Sequence, residues 1–188
     1  MPIGLAVPLD PHALRFRPEA PGVVPAIHGL NAAAFDTDAE ARLVDALRAA
    51  GRLTLSLVGE TAEGLAAHIA FSPVTLTTAA GLEVAGVGLA PMAVLPALQR
   101  RGVGGRLVEA GLAHLRRGDH RFCVVLGHPD YYPRFGFRPA SEFGVRWVRD
   151  VPDGVFMVQP LRPGGLDGLG GPAGAMSVVR YAPEFDGL

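Results

Sequence analysis

One run of residues, from Glu83 to Val94, constrains the fold of this chain more than any other. The run is apolar on both faces, which is typical of a central strand that is covered on both sides. Pro91 interrupts it, and because proline has no N–H to donate to a ladder, it lies in central strands essentially only at bulges. We therefore expect the strand to bulge or splay between Leu89 and Met92, which leaves backbone groups free to bind a ligand.

Other stretches of the sequence predict the strands around this one. Alternating or continuous apolar residues predict strands over His12–Pro18, Leu53–Gly59, Gly64–Val74, Phe122–Gly127 and Gly154–Leu161. Residues Thr75–Leu82 are expected to form the turn into the central strand. Because the strands before that turn follow one another closely, they predict an antiparallel meander.

Helical periodicity predicts three helices, over Val24–Phe35, Asp38–Ala50 and Gly102–Arg117. Asp36 or Thr37 is the expected N-cap of the second helix. The third helix lies between the central strand and the buried strand that starts at Phe122, an order that predicts a right-handed parallel crossover. The predicted fold class is therefore α/β (α+β), with a mixed, mostly antiparallel sheet that contains a splayed parallel strand pair.

The charged residues exclude several kinds of site. The 17 basic residues are all arginine, against 18 acidic residues. A chain without lysine has neither a Walker-type phosphate loop nor a Schiff-base lysine. Its single cysteine, Cys123, cannot form an internal disulfide or a multi-cysteine zinc site, and we expect no metal. The net charge of −1 argues against nucleic acid as a partner.

The length of 188 residues predicts a single domain with one sizeable core. We expect the core to span about residues 12–161, followed over 162–188 by a glycine-rich loop and a tail that docks through Val178, Val179, Tyr181 and Phe185. The longest apolar run, Val84 to Leu98, contains two prolines and is shorter than the roughly 20 residues of a membrane helix. We expect a cytoplasmic protein that does not bind membranes. Assembly as a homodimer stays open.

The segment between the central strand and the third helix is basic and rich in glycine. Three glycines and three arginines lie there: Gly102, Gly104, Gly105, Arg100, Arg101 and Arg106. The first turn of a helix offers unpaired N–H groups and the positive end of its dipole, and glycine lets a phosphate approach them. Three arginines oppose that dipole, a cost that a bound anion offsets. The segment therefore predicts a pyrophosphate site.

The spacing Gln99-x-x-Gly102-x-Gly104 resembles the acetyl-coenzyme A motif Gln/Arg-x-x-Gly-x-Gly/Ala of the GNAT superfamily of N-acetyltransferases. Two further segments carry the resemblance. Met92-Ala93-Val94-x-Pro96 is similar to the family's strand before the motif, and Tyr132-Pro133-Arg134-Phe135-Gly136-Phe137 to its Tyr-x-x-x-Gly-Phe signature. With Gly127-His128-Pro129, the second segment resembles a bacterial branch of predicted acetyltransferases. The order of elements is similar from about Leu14 to Leu161.

The resemblance implies the GNAT acyl-CoA N-acyltransferase fold and a set of roles. Backbone groups of Met92, Ala93 and Val94 would pair with the pantetheine arm of acetyl-CoA. The cofactor site would be completed by Gln99, Arg100, Arg101, Gly102, Val103, Gly104 and Gly105, with the pyrophosphate on the N–H groups of Arg101 to Gly105. Tyr132 would protonate the departing thiolate, with Tyr131 as its rival by adjacency. A phenol suits this task because its pKa of about 10 lies close to that of a thiol.

Direct transfer also needs a group that takes a proton from the acceptor amine. The lysine-acetylating branch of the family places a glutamate six residues before the Val94 equivalent, and this chain has Gly88 there. Glu83 lies further back in the sequence, and the alternatives are a chain of waters or one of three side chains, His68, His128 and Asp130. Cys123 lies in a predicted buried strand and is interpreted as a core residue rather than an acyl-carrying nucleophile.

The resemblance implies an enzyme that uses acetyl-CoA as co-substrate. We expect it to move the acetyl group to a primary amine of an unidentified small molecule, peptide or protein. The expected acceptor pocket is built from the two N-terminal helices, the Thr75–Leu82 loop and the segment after Tyr132. The alternative is a non-catalytic acyl-CoA-binding module of the same fold, which the absent glutamate favours and Tyr132 disfavours. A nucleotide-binding regulator would need a base-recognition feature, and the sequence offers none.

Overall fold

The computed structural model describes residues 14–171 and 175–187. Part of the first predicted strand (His12 and Ala13) and residues 172–174 of the glycine-rich segment lie outside the described residues. Three α-helices lie in the described part of the chain: α1 (Val24–Ala34), α2 (Ala39–Ala49) and α3 (Val103–Leu115). The strands there are β1 (Arg15–Pro18), β2 (Leu55–Thr61), β3 (Gly64–Thr77), β4 (Glu83–Val94), β5 (Phe122–Leu126), β6 (Arg138–Pro139), β7 (Val145–Trp147), β8 (Phe156–Pro160) and β9 (Ser177–Tyr181).

The strands form one sheet with a main path β1-β2-β3-β4-β5-β8-β6. The pairing of β4 with β5 is parallel, and the other pairings along the path are antiparallel. Because β3 extends beyond β2, the last residues of β3, from Val74 to Thr77, pair with β9, which in turn pairs with β7 in parallel. The mixed, mostly antiparallel sheet with its parallel pair confirms the predicted fold class.

The central strand β4 contains the predicted bulge. Ile69 of β3 faces Met92, whereas Phe71 faces Leu89. One residue of β3 therefore spans two residues of β4, and one of these is Pro91. Proline has no N–H to donate to the ladder, and the bulge accommodates it because an extra residue at a bulge is left unpaired.

The parallel strands β4 and β5 separate where this bulge begins. They pair at Val87 with Cys123 and at Gly88 with Val124. Beyond Gly88, no described residue of β4 pairs with β5. The end of β4 therefore keeps one edge open, and the segment from β4 into α3 lies along that opening.

Helices cover both faces of the sheet. On one face, α3 buries Val103, Leu107 and Leu112 in the largest apolar cluster of the described residues. On the other face, α1 and α2 bury Ile27 and Leu47 together with small residues of the sheet. The helices have 11 to 13 residues, and no helix in the described ranges is long and apolar enough to cross a bilayer.

Several predicted boundaries were wrong. The strand β3 continues to Thr77, so the turn spans residues 78–82, where Thr78 donates its N–H to the Leu82 carbonyl. The N-cap of α2 is Asp38 rather than Asp36 or Thr37. The Thr37 hydroxyl instead accepts the N–H of Ala39 at 3.3 Å.

The C-terminal part contains more regular structure than the sequence predicts. The tail forms β9, with Val179 fully buried. The glycine-rich segment, expected to be a loop, forms packed turns over residues 162–169. Leu169 is buried there. The tail lies beside β3, with which β9 pairs.

Candidate functional site

The turn between β4 and α3 brings the predicted phosphate site together. Gly102 adopts the left-handed conformation (φ 80°), and within the described ranges Arg100 is the one non-glycine residue with a positive φ (58°). The Gln99 side-chain amide donates to the Val94 carbonyl at 3.1 Å, which ties the turn to the end of β4. The first N–H groups of α3 have no intrahelical acceptor and follow directly from this turn.

A cavity of about 810 Å³ lies over the start of α3, and we call it the cradle cavity. Of the residues predicted to hold the cofactor, seven line this cavity: Met92, Val94, Gln99, Arg100, Gly102, Gly104 and Gly105. The other three do not belong to its lining. Ala93 and Val103 are buried beside it, and Arg101 is exposed.

Further side chains of the cradle cavity come from the segment after β5. The Arg134 guanidinium lies 4.3 Å from the centre of the Tyr131 ring, and its Nε donates to the Tyr131 carbonyl at 3.1 Å. A Cβ at Gly104 would lie 2.9 Å from the Tyr131 hydroxyl. Tyr131 therefore stands directly over the helix start. Arg134 adds a guanidinium to those of Arg100 and Arg106, and the sequence interpretation missed it.

A second cavity, of about 640 Å³, lies on the other side of the bulge, and we call it the aromatic cavity. Residues of α2, of the β4 bulge, of the segment after β5 and of the C-terminal region line it. Its side chains include Phe35, Glu40, Leu43, Leu89, Tyr132, Trp147, Arg149, Tyr181 and Phe185. The Thr75–Leu82 loop, predicted to help form the acceptor pocket, contributes no residue to this lining, whereas the C-terminal tail contributes Tyr181 and Phe185.

The two cavities meet at the bulge. Met92, His128 and Tyr131 line both of them. Tyr132 lines the aromatic cavity, where its ring packs so closely on Gly127 that a Cβ there would lie 2.2 Å from it. Burial raises the pKa of both tyrosine hydroxyls above the usual value, that of Tyr132 more strongly. Both phenols therefore stay protonated at neutral pH.

The three candidate proton acceptors, and Glu83, lie in different places. His128 is exposed and lines both cavities. Glu83 and Asp130 belong to the lining of neither cavity. His68 is fully buried, and this burial lowers the pKa of its imidazole to about 4. His128 is thus the predicted candidate that reaches the junction.

Sequence reasoning missed Glu40, the carboxylate of the aromatic cavity. It lies in the first turn of α2. Its Oε2 is buried and has no hydrogen-bond partner among the described residues. Helical periodicity places Glu40 on α2, but only the packing of α2 beside the bulge turns it toward a cavity.

The described residues hold no group of three or more His, Cys, Asp or Glu side chains that could bind a metal ion. Cys123 is fully buried, and this burial raises the pKa of its thiol. The thiol therefore stays protonated, as expected of a core cysteine rather than a nucleophile.

The sequence of this chain also matches the model of a known protein family. The family model of the acetyltransferase (GNAT) domain matches residues 15–140, which is more than half of the chain. The chain belongs to the GNAT acetyltransferase family. The match runs from β1 through the β4 bulge and α3 to the residues after the Tyr132 signature.

Full-length relatives agree with this GNAT assignment. YhbS of Escherichia coli (strain K12), named an uncharacterized N-acetyltransferase, is 37% identical over 171 residues, which covers 90% of this chain and 97% of YhbS. The crystal structure of YhbS from Escherichia coli in complex with CoA has a TM-score of 0.81 at 35% identity, and covers 93% of this chain and 92% of that one. A GNAT acetyltransferase from Brucella melitensis in complex with acetyl-CoA has a TM-score of 0.72 at 36% identity, over 93% and 99% of the two chains.

In this GNAT protein, packing explains the glycine at position 88. A Cβ at Gly88 would lie 2.3 Å from the Tyr181 ring and 2.7 Å from Val74 Cγ1. The aromatic ring of β9 therefore fills the space in which the lysine-acetylating branch would carry its glutamate. The same ring extends to the wall of the aromatic cavity.

Proposed function

We propose that this protein transfers the acetyl group of acetyl-CoA directly to a primary amine of a small molecule or peptide. The coenzyme binds in the cradle cavity and the amine in the aromatic cavity. The observation that carries the proposal is the junction of the two cavities at Met92, His128 and Tyr131. Two substrates that enter from opposite sides of the bulge can bring their reacting atoms together there. The CoA and acetyl-CoA complexes of the similar GNAT structures support this arrangement.

The cradle cavity suits the pyrophosphate of the coenzyme. The free N–H groups from Arg101 to Gly105 and the positive end of the α3 dipole favour an anion. Arg100 and Arg134 line the same cavity and offer guanidinium groups for charge-assisted hydrogen bonds. The pantetheine arm follows the open edge of β4 from Met92 to Val94, where the strand no longer pairs with β5.

The chemistry at the junction requires two proton movements. The amine nitrogen attacks the thioester carbon, a C–N bond forms and the C–S bond breaks. Tyr132 donates its phenolic proton to the departing thiolate, and burial keeps that proton on the phenol throughout the neutral range. His128 takes the proton that the nitrogen loses, since it lines both cavities.

A free-thiol release assay with a panel of primary amines tests this proposal, with the acetylated product identified by mass. We expect acetyl-CoA and an amine together to release CoA and yield the N-acetyl amine. His128→Gln should lower kcat by about 100-fold or more, the usual contribution of a general base. Acetyl-CoA binding without any acetylated amine would instead favour the non-catalytic acyl-CoA-binding module, which keeps the cradle and lacks a working proton relay.

A further inference from the structure

The aromatic cavity carries one further inference, which rests on its role as the acceptor site in the proposed function. Six aromatic side chains line it: Phe35, Tyr131, Tyr132, Trp147, Tyr181 and Phe185. Several of these rings also contact one another. The Tyr181 ring centre lies 4.6 Å from that of Phe185 and 6.5 Å from that of Trp147, edge to face. A wall of this composition binds the apolar part of a ligand and offers few hydrogen-bond partners to hydroxyl-rich molecules.

One carboxylate interrupts this apolar wall. Glu40 lines the cavity, and its Oε2 is buried without a hydrogen-bond partner among the described residues. Buried polar groups without partners are costly, and an anionic one most of all. An ammonium group satisfies the Glu40 oxygen, since it donates three hydrogen bonds and neutralises the carboxylate.

The cation already present in the lining has its own partners. Arg149 donates to Asp186 at 3.2 Å, and its guanidinium lies 5.3 Å from the centre of the Trp147 ring. It is therefore directed to the rim of the cavity rather than to Glu40. No other Asp or Glu belongs to the described lining. One carboxylate among aromatic rings fits one ammonium group and does not fit a polycation.

We propose that the acceptor is an arylalkylamine, a primary amine with an aromatic body, and that Glu40 binds its ammonium group. Glu40 acts as a specificity-determining residue. The rings of Phe35, Trp147 and Phe185 hold the aromatic body. The ammonium group releases one proton to solvent before the neutral amine attacks the thioester, and His128 takes the second proton as the C–N bond forms.

A binding titration with phenethylamine tests this inference independently of turnover. Trp147 is the only tryptophan of the chain and lines the cavity, so its fluorescence reports occupancy in the CoA-saturated protein. We expect saturable binding of phenethylamine. We expect binding weaker by at least about tenfold for 2-phenylethanol, which lacks the charge, and for ethanolamine, which lacks the ring.

The variant Glu40→Gln keeps the shape of the side chain and removes its charge. It should weaken phenethylamine binding by about tenfold or more and leave the affinities for 2-phenylethanol and CoA unchanged. Unchanged CoA affinity shows that the variant is folded. The inference is overturned if phenethylamine does not bind saturably, if the alcohol or ethanolamine binds as tightly, or if Glu40→Gln has no effect. Binding of phenethylamine without its acetylation would support the ammonium site at Glu40 and overturn the proposed transfer.

Discussion

Two adjacent tyrosines at the end of β5 differ in their surroundings. Tyr131 lies over the start of α3 and beneath the Arg134 guanidinium, and lines both cavities. Tyr132 lies deeper, against Gly127 and edge to face with Phe137 at 5.7 Å, and lines the aromatic cavity. The family signature indicates Tyr132 as the proton donor, whereas adjacency alone leaves both residues open.

Replacing each tyrosine by phenylalanine separates the two. Tyr132→Phe should lower kcat for thiol release by about 100-fold or more, since general acid catalysis typically contributes that much. The KM for acetyl-CoA should stay unchanged, because the ring that packs on Gly127 is retained. Tyr131→Phe is the matched control and should keep kcat. Full activity of Tyr132→Phe together with loss of activity in Tyr131→Phe would assign the proton to Tyr131.

At the scale of elements, the turn before α3 is held in a conformation that requires glycine. Gly102 has a φ of 80° at the N-cap of the helix, with open space around the position of a Cβ. Conformation alone therefore fixes this residue, because a side chain would meet no other atom. Gly29 offers a contrast, since it lies inside α1, exposed and equally free of neighbours, without a positive φ.

Alanine at these two glycines should have opposite effects on the free energy of unfolding. Gly102→Ala should destabilise the protein by about 1–2 kcal/mol, the cost of the left-handed conformation for a residue with a Cβ. Gly29→Ala should stabilise it by about 1 kcal/mol, because alanine favours the helix interior. Urea unfolding of the wild type and both variants measures these values. Stabilisation by Gly102→Ala would contradict the left-handed turn.

Sequence reasoning predicted the elements that carry a local signal. Pro91 in an apolar strand predicts the β4 bulge, and the glycine spacing from Gly102 predicts the helix start. The strands β6 and β7 have two and three residues, which is too short for a period to appear. Glu40 and Tyr181 lie at positions 141 residues apart, and only the packing of α2 and β9 brings them into one lining.

At the scale of the whole molecule, one buried polar network joins three elements. His68 of β3 accepts a hydrogen bond at Nδ1 from the Asn31 side chain of α1 at 3.1 Å. Its Nε2–H donates to the Ser56 hydroxyl of β2 at 3.0 Å, a tautomer assigned from these partners. Ser56 in turn donates to Glu19 at 2.5 Å. The network requires a neutral imidazole, since the Asn31 amide occupies the site of a second ring proton.

The network predicts that stability falls with acidity. Burial lowers the folded-state pKa of His68 from 6.5 to about 4, so the unfolded chain binds a proton first as the pH falls. The stabilisation is complete above pH about 6.5 and is lost progressively toward pH about 4, by about 3 kcal/mol in total. Arg48 lowers the pKa of the Glu19 carboxyl from its ordinary value of 4.5, so the stabilisation by Glu19 is lost mainly below pH about 4.5. Urea unfolding between about pH 7 and 4.5 measures the slope.

His68→Gln is the informative variant for this slope. Glutamine retains polar groups and cannot titrate, so the loss of stability between about pH 7 and 4.5 should become much smaller. His120→Gln, at a partly exposed histidine after α3, is the control and should keep the wild-type slope. An unchanged slope in His68→Gln would contradict a titrating buried histidine.

The most direct test of the whole arrangement is calorimetric titration with acetyl-CoA. We expect one-site binding by the wild type and about tenfold weaker binding by Arg100→Ala, which removes a guanidinium from the cradle cavity. Arg117→Ala, at an exposed arginine beyond the other end of α3, should bind as the wild type does. Absence of binding by the wild type, or equal affinities of the wild type and Arg100→Ala, would contradict a pyrophosphate site at the start of α3.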